Sequence, residues 1–260
     1  MSGSESIVLT VAGSDSCCGA GIQSDLRTFD AFGVRGVCAV SALTAQNPSE
    51  ILDVHVPPAD VVSAQIAAVV EYYDIKAAKT GMLPTAEIIE VVASALEGAS
   101  FPLVVDPVMV SSSGRRLMDV SAVSALTGSL LPVADWVTPN IPEAEALLGA
   151  EIADLDAMRS AAAEIAEKWS ISCVLKGGHC SFSGDSVVEV VALSDGRVFE
   201  LESERVVGLE VEASHGTGCA FSAALSAELA KGSDPAKAAE AAKKHVFRVV
   251  SGSRRKDQTP

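Results

Sequence analysis

Ile7-Val8-Leu9-Thr10-Val11-Ala12 runs directly into Gly13-Ser14-Asp15-Ser16-Cys17-Cys18-Gly19-Ala20-Gly21 and then Ile22-Gln23-Ser24-Asp25, and the fold turns on this stretch. Its first six residues are uncharged and rich in β-branched side chains, as in a strand covered on both faces of a sheet. A glycine-rich loop follows, and Ile22, Leu26 and Phe29 then recur at helical spacing. The order is strand, loop, helix. In an open α/β sheet, loops at the carboxyl ends of strands are where ligands bind.

The same alternation continues along the chain. Further strands are expected at Val37–Leu43, Ala77–Thr80, Leu103–Asp106, Trp136–Thr138 and Ser172–Lys176, with helical periods over Pro58–Tyr72, Thr85–Leu96 and Asp156–Trp169. That is the pattern of a parallel sheet with helices on both faces. Ser194-Asp195-Gly196 separates two β-like runs, Val187–Leu193 and Val198–Leu201, and predicts an antiparallel hairpin at the sheet edge. Gly216–Lys231 and Asp234–Val250 read as small-residue-rich helices, and Ser251–Pro260 as a frayed polar tail. With no repeat and no linker-like stretch, residues 1–260 read as one domain.

The chain has 19 basic and 34 acidic residues among 260, a formal charge of −15. Binding to nucleic acid or to an anionic membrane needs a basic surface, so both are disfavoured. A 48% hydrophobic composition supports a large core, aliphatic because only eleven residues are aromatic. No apolar run reaches the roughly 20 residues of a membrane span, and no signal peptide is legible, so a cytoplasmic protein is expected. The six cysteines form no C-x-x-C pair, which suggests neither a disulfide framework nor a structural zinc site.

Ser214-His215-Gly216-Thr217-Gly218-Cys219 opens a small-residue helix. Gly216 and Gly218 permit a tight turn that aims several N–H groups at one point, suiting an oxyanion or phosphate. Cys219 falls in the first helical turn, where the dipole favours a thiolate. The same fragment also reads as an ordinary glycine turn beside a buried cysteine. The first glycine loop matches neither G-x-G-x-x-G nor the Walker pattern. Asp106 ends one strand while Asn140 and Glu143 follow another, so hard oxygen donors gather at one sheet edge, as Mg²⁺ requires. Glu143 reads equally as a helix-capping carboxylate after Pro142. Lys176, ahead of Gly177-Gly178-His179, is either a phosphate-neutralising cation or an exposed strand-end lysine. The four histidines have no metal-ligand spacing and are read as structural.

Seven blocks in order resemble the hydroxymethylpyrimidine and phosphomethylpyrimidine kinases of thiamine biosynthesis, in the ribokinase-like superfamily. They are Ala12–Asp15 with Gly19–Gln23 and Asp25, Ala42–Asn47, Lys79 with Gly81–Leu83, Val105–Met109, Thr138–Asn140 with Pro142–Ala144, Lys176–His179, and His215–Cys219 with Ser222–Ala224. The resemblance implies a three-layer, doubly wound sheet that transfers the γ-phosphoryl group of ATP to 4-amino-5-hydroxymethyl-2-methylpyrimidine and then to its monophosphate. It implies that Asp25 and Gln46 hydrogen-bond the aminopyrimidine and that Gly13 and Met82 pack around it. Asp106 and Glu143 would surround Mg²⁺, and Asn140, Thr217 and Lys176 would meet the nucleotide phosphates. Gly216, Gly218 and Cys219 would form the anion hole, whose donors are worth ~3–4 kcal/mol each, with Cys219 as a base for the alcohol proton. A homodimer is also implied. This chain departs from the family pattern at Cys17-Cys18, where small residues are common, at Pro48, and in lacking a glycine-rich C-terminal segment. The alternatives are a pyridoxal or pyridoxine kinase on the same scaffold and a non-catalytic pyrimidine sensor.

Overall fold

The structure is a computed structural model and describes residues 5–110, 114, 117–178, 184–206 and 215–256. Side-chain alternation in β1 (Ile7–Asp15) sets up its two layers. Ile7, Leu9 and Val11 pack into the core on one side, and Val8 meets Phe29 and Ala223 on the other.

The chain continues through α1 (Gly21–Ala31), β2 (Arg35–Gln46), β3 (Ile51–His55), α2 (Ala59–Val70), β4 (Ile75–Thr80) and α3 (Ala86–Leu96). Next come β5 (Leu103–Val105), α4 (Val120–Ala125), β6 (Trp136–Val137), α5 (Ile141–Leu148), α6 (Leu155–Trp169) and β7 (Ser172–Lys176). An edge hairpin, β8 (Ser186–Ala192) and β9 (Val198–Glu204), precedes α7 (Thr217–Ala230) and α8 (Pro235–Lys256). The strands form one sheet of order β3-β2-β1-β4-β5-β6-β7-β8-β9. Pairing is parallel from β2 to β7 and antiparallel at β2/β3, β7/β8 and β8/β9.

One face is covered by α2 to α6, through Ile66, Ile88, Val92, Leu147, Met158 and Ile165. The other carries α1, α7 and α8 through Phe29, Phe221, Ala224 and Ala242. Small residues on α7 let that helix lie almost entirely buried against the sheet. Full burial of each large aliphatic side chain contributes ~1.5–3 kcal/mol. The expected parallel sheet, two helical layers and edge hairpin are all present.

Three elements differ from the sequence reading. β3 is a short edge strand with a largely exposed surface, so period and hydrophobicity carry little signal there. α4 is too short to display a period, and it continues through a π-helical turn at Leu126–Leu130. Helix α8 extends to Lys256, into the stretch read as a polar tail, and residues 257–260 lie outside the described residues. One internal Gly252 costs a helix only about 1 kcal/mol and does not stop it.

Candidate active site

β1 leads to β2 on one side of it, while β4 lies on the other, so the strand order reverses at β1/β4. Loops at such a reversal part and leave a crevice beyond the carboxyl ends of the strands. A cavity of about 910 Å³ opens there, within the usual size of a ligand site. Gly13, Gln46, Met82, Asp106, Asn140, Glu143, Lys176, Gly216, Thr217, Gly218 and Cys219 all line it. Of the site residues expected from sequence, Asp25 alone does not. His179 and Ser214 lie outside the described residues.

Two glycine loops meet at the cavity wall. Gly216 is left-handed at φ +79°, and a Cβ there would stand 2.0 Å from the carbonyl oxygen of Gly19. The first turn of α7 therefore presses on the β1–α1 loop as only glycine allows. Gly218 faces Lys176, whose Nζ would lie 3.2 Å from an added Cβ. An ammonium group and a helix N-terminus thus address the same point, an arrangement that attracts an anion.

Lys176 Nζ donates to Asp106 Oδ1 at 2.9 Å. Thr138 Oγ1 donates to the same oxygen at 3.3 Å, and Ser222 Oγ to Asp106 Oδ2 at 3.1 Å. Burial opposes charge on Asp106, but Lys176, Lys79 and these hydrogen bonds hold its carboxyl below the usual carboxylate range. Lys176 is mostly buried, not an exposed strand-end cation; Asp106 and Glu143 outweigh the cost of burial and hold its pKa above the ordinary lysine value. Glu143 is pushed up to about 7, first by burial and then by Asp106, against the pull of Lys176. Both sequence readings of Glu143 meet here. It closes a capping box with Asn140, accepting from the Asn140 N–H at 2.8 Å while Asn140 Oδ1 accepts from its own N–H at 2.9 Å, and it also faces the cavity.

Two of the expected site residues have surroundings the sequence did not show. Asp25 is fully buried, accepting from Thr10 Oγ1 at 2.6 Å and from Lys79 Nζ at 2.9 and 3.0 Å. It is not among the residues that line the cavity. Lys79, equally buried, is held charged by Asp25 against desolvation. Cys219 is half-buried at the cavity. Burial pushes its thiol up to about 11, with Asp25 and Asp106 also opposing ionisation and Lys79 and the Gly21 N–H favouring it, a shift opposite to the one the helix dipole alone gives.

Sequence reasoning missed Asp15 and His215. Asp15 Oδ1 accepts from the Cys17 N–H at 3.0 Å, and Oδ2 from the Ala20 N–H at 2.8 Å. His215 Nε2 lies 3.0 Å from Asp15 Oδ2 and 3.1 Å from the side-chain nitrogen of Gln46. Both residues lie in the two glycine-rich stretches, but they are two hundred positions apart in sequence. Only the adjacency of the two glycine loops could have linked them.

A doubly wound sheet whose strand ends bring a lysine, two carboxylates and a glycine-opened helix to one cavity defines a small-molecule kinase of ribokinase-like fold. Residues 15–258 match the phosphomethylpyrimidine kinase family, and the chain belongs to it. It is 46% identical over 246 residues to the hydroxymethylpyrimidine/phosphomethylpyrimidine kinase of Haemophilus influenzae, covering 94% of this chain and 90% of that one. Among solved structures, phosphomethylpyrimidine kinase from Clostridium difficile is similar, with a TM-score of 0.81 at 34% identity over 95% of this chain and all of that one. Bacillus subtilis pyridoxal kinase bound to ADP is similar too, with a TM-score of 0.83 at 36% identity, covering 93% of this chain and 90% of that one.

Proposed function

We propose that the protein phosphorylates 4-amino-5-hydroxymethyl-2-methylpyrimidine and then the resulting monophosphate, with ATP as donor and Mg²⁺ as its counter-ion. The observation that carries this reading is the meeting of Lys176 with the N-terminus of α7, in a cavity that Gln46 and Asn140 also line. A phosphoryl group placed there has its charge met from two directions, and phosphoryl transfer depends chiefly on such positioning and electrostatics.

Gly13 and Met82 form one wall of the ring pocket, where a Cβ on Gly13 would stand 3.2 Å from Met82 Sδ. The Gln46 amide offers a donor and an acceptor suited to ring nitrogens and an exocyclic amine. Asp106 and Glu143 fit a hard cation, since both carboxylates are buried and both line the cavity. Bound there, Mg²⁺ would neutralise the nucleotide phosphates. Asn140 and Thr217 flank that position. With burial and two carboxylates raising its thiol, Cys219 serves to orient the acceptor alcohol more than to deprotonate it; a loose transition state needs no strong base.

The relatives support the substrate, being named hydroxymethylpyrimidine/phosphomethylpyrimidine kinases in Haemophilus influenzae and Streptomyces coelicolor. A homodimer in the cytoplasm belongs to the same reading. The outer edge of β3 is open among the described residues, and exposed Leu43 and Leu52 on β2 and β3 suit a partner. No helix is long and apolar enough to cross a membrane among those residues. The test is ADP release with Mg²⁺ and ATP, with products identified by mass. Successive mono- and diphosphate of the pyrimidine are expected. Likeness to a pyridoxal-bound pyridoxal kinase of Staphylococcus aureus favours pyridoxal as the second reading, and dominant formation of pyridoxal phosphate would establish it instead.

A further inference from the structure

We propose that Asp15, Cys17 and His215 form a site for a zinc-class divalent cation at the mouth of the cavity, separate from the hard-cation position at Asp106 and Glu143, and that its occupation inhibits the enzyme. The inhibitory half rests on the reading of Gln46 given above; the binding half does not.

One donor atom from each residue lies within 4.8 Å of the others. Cys17 Sγ is 3.1 and 3.4 Å from the two Asp15 oxygens, and His215 Nε2 is 3.0 Å from Oδ2. Metal bonds of about 2.0–2.3 Å separate neighbouring donors in a tetrahedron by about 3.3–3.7 Å, so the three atoms need only small movements. Thiolate, imidazole and carboxylate together select zinc-like metals and disfavour Mg²⁺.

The ligands are also held in place. Backbone N–H groups of Cys17 and Ala20 fix the Asp15 carboxylate, as outer-shell donors do in metal sites. Cys18 adopts φ +62°, and its N–H donates to the Asp15 carbonyl at 3.0 Å, a strained turn that folds Cys17 back over Asp15. Of the two polar neighbours of His215 Nε2 among the described residues, it donates to Asp15 or accepts from Gln46, and a single ring nitrogen cannot do both. A cation takes its lone pair, satisfies Asp15 as well and removes His215 from Gln46. The Cys17 thiol loses its proton to solvent on binding. Asp15, His215 and Gln46 all line the cavity, so the bound metal would stand where the pyrimidine is read.

Co²⁺ titrated into the full chain, first stripped with a chelator, tests the site by its thiolate-to-cobalt charge-transfer absorption. One equivalent is expected to develop the band, Zn²⁺ to abolish it and excess Mg²⁺ to leave it unchanged. Cys18→Ser and Cys219→Ser should retain the band. Cys17→Ser and His215→Asn should weaken binding more than ~100-fold, beyond the upper range for loss of an outer-shell partner. No band, or a band that survives Cys17→Ser and vanishes in Cys18→Ser or Cys219→Ser, overturns the site. In the kinase assay, Zn²⁺ should inhibit the wild type and spare Cys17→Ser. Stoichiometric cobalt binding with turnover unaffected by Zn²⁺ overturns the inhibitory half alone. If no acceptor is phosphorylated even without Zn²⁺, the substrate reading fails while the cobalt result still decides the site.

Discussion

Glu143 binds its proton more tightly in the folded protein than its ordinary value of 4.5 allows, titrating at about 7 because burial and Asp106 outweigh Lys176. The sign follows from linkage: between those values the folded state keeps a proton that the unfolded chain has lost, so stability declines as pH rises through the window. Wild-type stability relative to Glu143→Gln should be level below about 4.5, fall towards about 7 with a slope of at most ~1.4 kcal/mol per pH unit, and level off above. Urea denaturation at a series of pH values measures it, and parallel profiles for the two proteins would show an ordinary glutamate. Asp25 and Lys79 make a second test at this scale. Each is fully buried and each is the other's counter-charge, so Lys79→Met leaves an unpaired carboxylate in the interior. The expected loss is ~3–5 kcal/mol, with much of it restored in the Asp25→Asn/Lys79→Met double variant. A single-variant loss below ~1 kcal/mol, the value of an exposed pair, would contradict the burial.

Between elements, the decisive contact is the press of the α7 N-terminus against the β1–α1 loop. Gly216→Ala must both strain a left-handed residue and displace the Gly19 carbonyl, which tilts the helix end away from Lys176. Turnover should fall ~10²–10³-fold, the loss typical of a misplaced oxyanion donor, together with a lower melting temperature. Gly128→Ala is the control. Nothing lies within 4 Å of its Cβ position and its φ is not left-handed, so turnover should stand unchanged and stability rise by a few tenths of a kcal/mol. Equal losses in both variants would remove the anion hole from the argument. The same elements show how far sequence carries the fold. Parallel strands such as Leu103–Val105 and Ser172–Lys176 were legible because both faces are buried and the composition is uniformly apolar. β3 was not, since an exposed edge strand is specified by its partner more than by itself. Strand-end residues such as Asp106 and Lys176 could be placed at the site because the parallel sheet puts all such ends on one side. Asp25 and Cys219 could not be judged from sequence: their chemistry is set by burial and by Lys79, and neither depth nor neighbour appears in a local motif.

For the molecule as a whole, one cavity is lined by Gly13, Gln46 and Met82, by Lys176, and by Val246, Phe247 and Val250 on α8. Its volume of about 910 Å³ lies near the top of the range for a single ligand site, which leaves room for an acceptor and a nucleotide side by side. In-line transfer requires both to be bound at once. Each ligand that binds only the folded state adds RT ln(1 + [L]/Kd), ~2.7 kcal/mol at a hundredfold excess over Kd. A protein of this size shifts by ~2–4 °C per kcal/mol, so each ligand alone should raise the melting temperature by roughly 5–10 °C. A non-hydrolysable ATP analogue with Mg²⁺ and the pyrimidine alcohol, added together, should stabilise by at least the sum of their separate free energies. Lys176→Ala should reduce the nucleotide increment and leave that of the alcohol largely intact if, as proposed, Lys176 meets the phosphates beside Gly218. A combined shift no larger than that of the stronger ligand would mean that the two compete for one space, and transfer between them within this cavity would then be geometrically impossible.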